Sequence, residues 1–170
     1  MDKLDPIRIK ILNSLQLNRQ LAIWRFLGKK IVFTNGCFDI LHRGHIEYLA
    51  KAAGYGDVLI IGLNTDQSVR RLKGDSRPVQ DENARALLLA SLSFVSAIVL
   101  FDEDTPYKLI EKVQPDVLVK GGDYKIKDIV GYDLVKAKGG KVISLDFVKG
   151  YSTSDIINKT NSSNPANGKS

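Results

Sequence analysis

The sequence predicts a single α/β domain, an open sheet of about five parallel strands with helices on both faces. Three observations predict it. The apolar runs at 31–33, 57–63, 97–101, 116–119 and 141–145 are continuous rather than alternating, as strands covered on both faces are. Stretches with apolar residues at helical spacing lie between them, and strand, helix, strand implies a right-handed crossover. Three of the runs lead into polar segments, Asn35-Gly36, Asn64-Thr65-Asp66 and Lys120-Gly121-Gly122-Asp123, at the carboxyl edge where open α/β sheets bind ligands.

At the N-terminus, Asp5-Pro6 starts a helix, and Ile7, Ile11, Leu15, Leu21, Trp24 and Leu27 carry an apolar stripe to the closing Gly28. This segment, 1–28, is expected to pack on the domain or on a second subunit, which makes a homo-oligomer the expectation. The main domain is 29–159.

The first strand ends in Thr34-Asn35-Gly36-Cys37-Phe38-Asp39-Ile40-Leu41-His42-Arg43-Gly44-His45. Gly36 is expected to take a positive φ at the turn. Ile46, Leu49, Ala50 and Ala53 then recur at helical spacing, so His42 and His45 fall at a helix mouth, both leaning to one side. Gly44 between them lets a ligand approach the backbone. A helix start after a glycine turn offers free N–H groups and a positive dipole end, which suits phosphate. Two imidazole donors there could neutralise a phosphoryl group under attack. A zinc site would need two further ligands, and the chain has no other His and only one Cys.

After the second strand, Asn64-Thr65-Asp66 either caps the next helix or touches ligand. The cationic segment Arg70-Arg71-Leu72-Lys73-Gly74-Asp75-Ser76-Arg77-Pro78 is expected to be a loop closing over phosphates, with Lys73 as a point charge and Arg77 as a fork. Asp81 caps a core helix carrying Ala84, Leu87, Leu88 and Leu92. Thr105-Pro106 opens the helix after the third strand. The fourth strand ends in Lys120-Gly121-Gly122-Asp123, where Lys120 can meet a phosphate and Asp123 can accept from hydroxyls or an amine. A helix through Tyr132 and Val135 precedes the fifth strand. Gly150-Tyr151-Ser152-Thr153-Ser154 repeats the theme of glycine, hydroxyls and a helix start. The segment 160–170, rich in Asn, Ser, Gly and Lys, is expected to be disordered.

The sequence has 170 residues, 44% hydrophobic and 26% charged, which suits one core. Its formal charge of +6 favours anionic ligands. The cations are scattered, with no aromatic-interleaved basic motif, so nucleic acid is not expected. The lone cysteine, the absence of an apolar run near the roughly 20 residues of a membrane span, and the lack of a signal-peptide pattern predict a soluble, cytoplasmic protein.

Gly36-Cys37-Phe38-Asp39 followed by His42-Arg43-Gly44-His45 resembles the signature G-x-F-D-x-x-H-x-G-H of the nucleotidyltransferase superfamily. The resemblance implies a Rossmann-like fold and transfer of a nucleotidyl group with release of pyrophosphate. Arg71-Leu72-Lys73-Gly74, Phe101-Asp102-Glu103-Asp104-Thr105-Pro106 and Val119-Lys120-Gly121-Gly122-Asp123-Tyr124 resemble the heptose 1-phosphate adenylyltransferase branch, the second domain of bifunctional heptose kinase/adenylyltransferases. That implies ATP and a sugar 1-phosphate as substrates, magnesium on the triphosphate, and a separate heptose kinase, since 170 residues leave no room for one. It also implies catalytic roles for His42, His45 and Lys73, with nucleotide contacts from Gly36, Cys37, Phe38, Gly44, Asp123, Ser152 and Thr153. Asp39, Asn64, Arg85 and Lys120 are the expected acceptor contacts. The acidic residue that relatives often carry two positions before Arg85 is Asn83 here. Phe147 stands where some cytidylyltransferases have arginine, which weakens an assignment to their branch; a cytidylyltransferase acting on a polyol or alkyl phosphate is the alternative enzyme. A nucleotide-binding sensor without turnover is the alternative from another class.

Overall fold

The structure is a computed structural model that describes residues 2–122, 124–146 and 157. In chain order the elements are α1 Asp5–Arg8, α2 Ser14–Phe26, β1 Ile31–Gly36, α3 Arg43–Ala53, β2 Val58–Asn64, α4 Asp66–Lys73 and α5 Glu82–Ala90, then β3 Ala97–Phe101, α6 Tyr107–Val113, β4 Val117–Gly121, a 3₁₀ turn Ile126–Asp128, α7 Tyr132–Ala137 and β5 Lys141–Leu145. All five strands form one sheet in the order β3-β2-β1-β4-β5, and every pairing between them is parallel. The expected Rossmann-like sheet is therefore present.

Alternation along each strand divides the core between two faces. Ile31, Phe33, Val58 and Ile60 meet Leu17 and Leu21 of α2 and Leu109 and Ile110 of α6 on one face. Val32, Leu59 and Ile61 meet Leu49 and Ala52 of α3 and Ala86 and Leu89 of α5 on the other. Both faces of the sheet are thus covered, which is why its strands are apolar throughout.

The strand order reverses between β1 and β4, and there the sheet opens. β1 runs beside β2 for its whole length, from Ile31↔Val58 to Gly36↔Leu63. Its register with β4 stops at Val32↔Val117 and Phe33↔Leu118. Beyond that point the Tyr48 hydroxyl, from α3, stands 2.6 Å from the Thr34 hydroxyl and donates to the Val119 carbonyl at 3.3 Å. A side chain so replaces ladder bonds at the split, and the crevice of a doubly wound sheet begins above it.

Four local expectations are corrected. The N-terminal segment is two helices, because Ile98 N–H donates to the Lys10 carbonyl (2.8 Å) and Leu12 N–H donates to the Ile98 carbonyl (2.9 Å). This short parallel bridge covers part of the edge of β3. Asn13 and Gln16 then cap α2 reciprocally, at 2.8 and 2.9 Å. Its buried residues are Leu17 and Leu21, whereas Leu15 and Leu27 are exposed. In α3 the buried face is Gly44, Tyr48, Leu49 and Ala52, and Ala50 points outward. In α5 it is Arg85, Ala86, Leu89 and Ala90, with Leu88 exposed. Finally, Arg70 to Lys73 are helical, since Thr65 caps α4 by accepting from Ser68 N–H and the helix runs on to Gly74. Gly74, at φ 93°, ends it.

Candidate active site

β1 delivers the signature to the mouth of the crevice. Gly36 is its last residue and does not take a positive φ; Phe38 does, at 43°. The reason for glycine at 36 is close approach instead, because a Cβ there would lie 2.9 Å from the Phe38 ring. That ring stands edge-on to His45, with centroids 5.3 Å apart and an interplanar angle of 68°. The tight turn therefore sets the position of the imidazole.

His42 caps α3 and His45 lies in its first turn, where the two rings stack at 3.8 Å with 23° between their planes. The Nδ1 atoms of both rings are buried and unpartnered among the described residues. Buried polar atoms left so are expected to gain partners from water or a ligand. Burial, and next the adjoining His42 ring, push the His45 imidazole down from 6.5 to about 4. Burial lowers His42 as well. Both rings are neutral at neutral pH and act as N–H donors without being acids. This has a measurable consequence. The unfolded chain protonates at its ordinary value while folded His45 does not, so stability should fall as pH drops from about 6.5 towards 4. Thermal melts across that window should show the slope, a His45→Gln variant should flatten it, and a wild-type stability constant down to pH 4 would refute it.

Lys73, at the end of α4, and His45 line the same cavity of about 190 Å³, with Gly36, Cys37, Phe38 and Lys120. A second, wider cavity of about 480 Å³ adjoins it and shares Asn35, Gly36, Cys37, Lys73, Lys120 and Tyr124. Asn64, Asp104, Thr105, Pro106 and Asp128 are among the other residues of the wider one. Burial lowers the Lys120 pKa. Burial also raises the Cys37 thiol, so it stays protonated and is no nucleophile. His45, Lys73, Lys120 and the signature turn are thus brought together at the carboxyl ends of β1 and β4, while His42 lines neither cavity and joins them by its stack on His45. Asn64 lines the wider cavity, although its Nδ2 donates to Ser68 Oγ at 2.9 Å. Gly44 is buried inside α3. Asp123, Ser152 and Thr153 lie outside the described residues.

Two expected acceptor contacts serve a different purpose. The Asp39 carboxylate is buried and accepts from Arg77 Nε (2.5 Å), Val79 N–H (2.8 Å) and Gln80 N–H (3.1 Å). Its acceptors are filled by the chain, and Arg77 Nε anchors the loop before α5 to it. Arg85 is 1% exposed. Its guanidinium donates to the carbonyls of Gln80 (3.1 Å), Cys37 (2.6 Å) and Asn64 (2.9 Å), and it pairs with Asp66 at 2.7 Å. Four of its five N–H groups are thereby taken, which leaves a single Nη2 N–H and no free fork for a substrate's phosphate. It instead joins the signature turn to the end of β2, and Asp66 supplies the carboxylate that Asn83 does not.

The sequence reading passed over Tyr48, although its position three residues after His45 puts both on one face of α3. It also left Asp128 and Tyr124 unassigned, since only the folded chain brings the turn after β4 to this crevice.

A parallel sheet open at its β1/β4 switch point, with a glycine turn, stacked histidines and two lysines in one crevice, defines a nucleotidyltransferase-type site. The chain belongs to the cytidylyltransferase-like family, whose model matches residues 33–159. It is 56% identical over 154 residues to the bifunctional protein HldE of Citrifermentans bemidjiense, covering 91% of this chain and 32% of that protein. To the HldE of Geobacter metallireducens it is 60% identical over 132 residues, covering 78% and 27% respectively. The chain therefore spans about a third of the length of these curated relatives. Among solved structures, a lipopolysaccharide core biosynthesis protein from Thermoplasma volcanium matches with a TM-score of 0.59 and 33% identity, over 74% of this chain and all of that one. A pantoate-beta-alanine ligase from Francisella tularensis shares the fold, with a TM-score of 0.55 at 20% identity over 89% of this chain and 76% of the ligase.

Proposed function

We propose that the protein is an adenylyltransferase that joins AMP from ATP to a sugar 1-phosphate, D-glycero-β-D-manno-heptose 1-phosphate, and releases pyrophosphate. The observation that carries this reading is the 56% identity to an HldE protein over 91% of the chain, with His45 and Lys73 lining one crevice and His42 stacked on His45. The likeness to a lipopolysaccharide core biosynthesis protein supports an ADP-heptose product used in that core.

An oxygen of the sugar 1-phosphate attacks the α-phosphorus of ATP, the new P–O bond forms in line, and the bond to the β-phosphate oxygen breaks as pyrophosphate leaves. The nucleophile is already an anion at neutral pH, so no general base is needed. The chain's task is to position the phosphates and offset the charge that builds on them. Neutral His42 and His45 donate N–H bonds without adding charge, and Lys73 and Lys120 contribute cations from the opposite strand and helix ends. Tyr48, pushed up to about 12 by burial, keeps its proton and holds the split between β1 and β4.

Among the described residues, no group of three or more His, Cys, Asp or Glu side chains could hold a metal ion. Magnesium would accompany the triphosphate, held largely by phosphate oxygens and water. When bound, it screens the triphosphate charge. No helix among the described residues is long and apolar enough to cross a membrane. A cytoplasmic homo-oligomer working after a heptose kinase step is part of the same proposal.

Pyrophosphate release should be measured with ATP or CTP against heptose 1-phosphate, a hexose 1-phosphate and a polyol phosphate. Turnover is expected with ATP and the heptose. Turnover only with CTP and the polyol phosphate would make the protein a cytidylyltransferase, and ATP binding without pyrophosphate from any acceptor would make it a sensor.

A further inference from the structure

The crevice has two lobes of unlike chemistry. The smaller, about 190 Å³, brings His45, Lys73 and Lys120 together, and the one carboxylate on its wall among the described residues, Asp39, is saturated by Arg77 and two backbone N–H groups. The wider lobe, about 480 Å³, has two carboxylates on its wall among the described residues, Asp104 and Asp128. Arg71 Nε takes Asp104 at 3.0 Å. Asp128 is exposed, and its side chain makes no hydrogen bond or ion pair among the described residues. Thr105, whose hydroxyl is likewise unengaged among them, lines the same lobe.

A polyphosphate placed against a free carboxylate is repelled, whereas a neutral polyol gains a charge-assisted hydrogen bond from it. Lys73 and Lys120 stand on the boundary, because both line both lobes. We propose that the wider lobe holds the hydroxyl-bearing body of the acceptor sugar, with Asp128 and Thr105 as its specificity-determining contacts. The acceptor phosphate then reaches back to Lys73 and Lys120, beside the phosphates of the nucleotide. The loop that carries Thr105 is tied to α4: Arg71 pairs with Asp102 and Asp104 and donates to the Asp102 carbonyl, and Ser68 Oγ donates to the Glu103 carbonyl at 3.4 Å. This assignment deepens the proposed function and rests on it for the identity of the sugar.

The test compares Asp128→Asn, Asp128→Ala and Thr105→Val with the wild-type chain. Losing one charge-assisted bond should raise the KM for heptose 1-phosphate on the order of tenfold. The KM for ATP should stay within about twofold, because Asp128 does not touch the nucleotide. An unchanged acceptor KM, or a matching rise in the ATP KM, overturns the assignment. Calorimetric titration of heptose 1-phosphate and of ATP into each variant gives the same comparison without turnover. If wild-type chain releases no pyrophosphate yet binds the sugar phosphate, and Asp128→Asn loses that binding alone, the activity is wrong and the sugar lobe stands. If wild-type chain turns over and the variants match it, the lobe assignment is wrong and the activity stands. Wild-type chain that neither turns over nor binds the sugar phosphate overturns both.

Discussion

His45→Ala is expected to lower turnover by about 10²- to 10³-fold, the usual loss when one preorganised donor is taken from a developing negative charge. Its fold should survive. The His45 Nδ1 has no partner among the described residues, and truncation gives up one interaction with the Ile40 backbone at the start of α3. The ring's neighbours, Phe38 and His42, are side chains that can close over a small gap. The measurement is kcat with saturating ATP and heptose 1-phosphate, beside a thermal melt of the same preparation. A rate equal to wild type would remove His45 from the chemistry, and a chain that no longer melts cooperatively would make it structural.

Arg85→Met is expected to be the most destabilising single change, by about 3–5 kcal/mol, because removing one partner of a buried pair strands the other. Here it would strand the Asp66 carboxylate and the carbonyls of Cys37, Asn64 and Gln80 together. Arg85→Lys should recover only part, since an ammonium cannot span four acceptors that a planar fork reaches. Urea denaturation checks this through a lowered midpoint at constant slope. If both variants kept wild-type stability and only the KM for the acceptor rose, Arg85 would be the substrate anchor that its place in the sequence suggests.

The same arginine shows where reading the chain stops. Its position on the helix after the cationic segment is visible in the sequence, and so is its charge. Whether that charge meets a phosphate or four groups of the protein depends on Cys37, Asn64 and Asp66, which are 48, 21 and 19 residues away. Asp39 is a parallel case, a signature residue whose carboxylate is consumed by the loop before α5. By contrast, the break between α1 and α2 was readable in principle, because Asn13 and Gln16 have capping-box spacing. What hid it was the parallel bridge to Ile98, 87 positions from Ile11.

By itself the sequence determined the five strands and their type, the helix mouth under the two histidines, and the family signature. These depend on local periodicity, turn residues and the spacing of a short segment, all of which act over a few residues. Only the tertiary structure decided which polar side chains are free. Neutral stacked imidazoles, a saturated Asp39, a buried Arg85 and an uncommitted Asp128 arise from which groups meet across the sheet, and hydrogen-bond partners are assigned by that meeting rather than by neighbours in the chain.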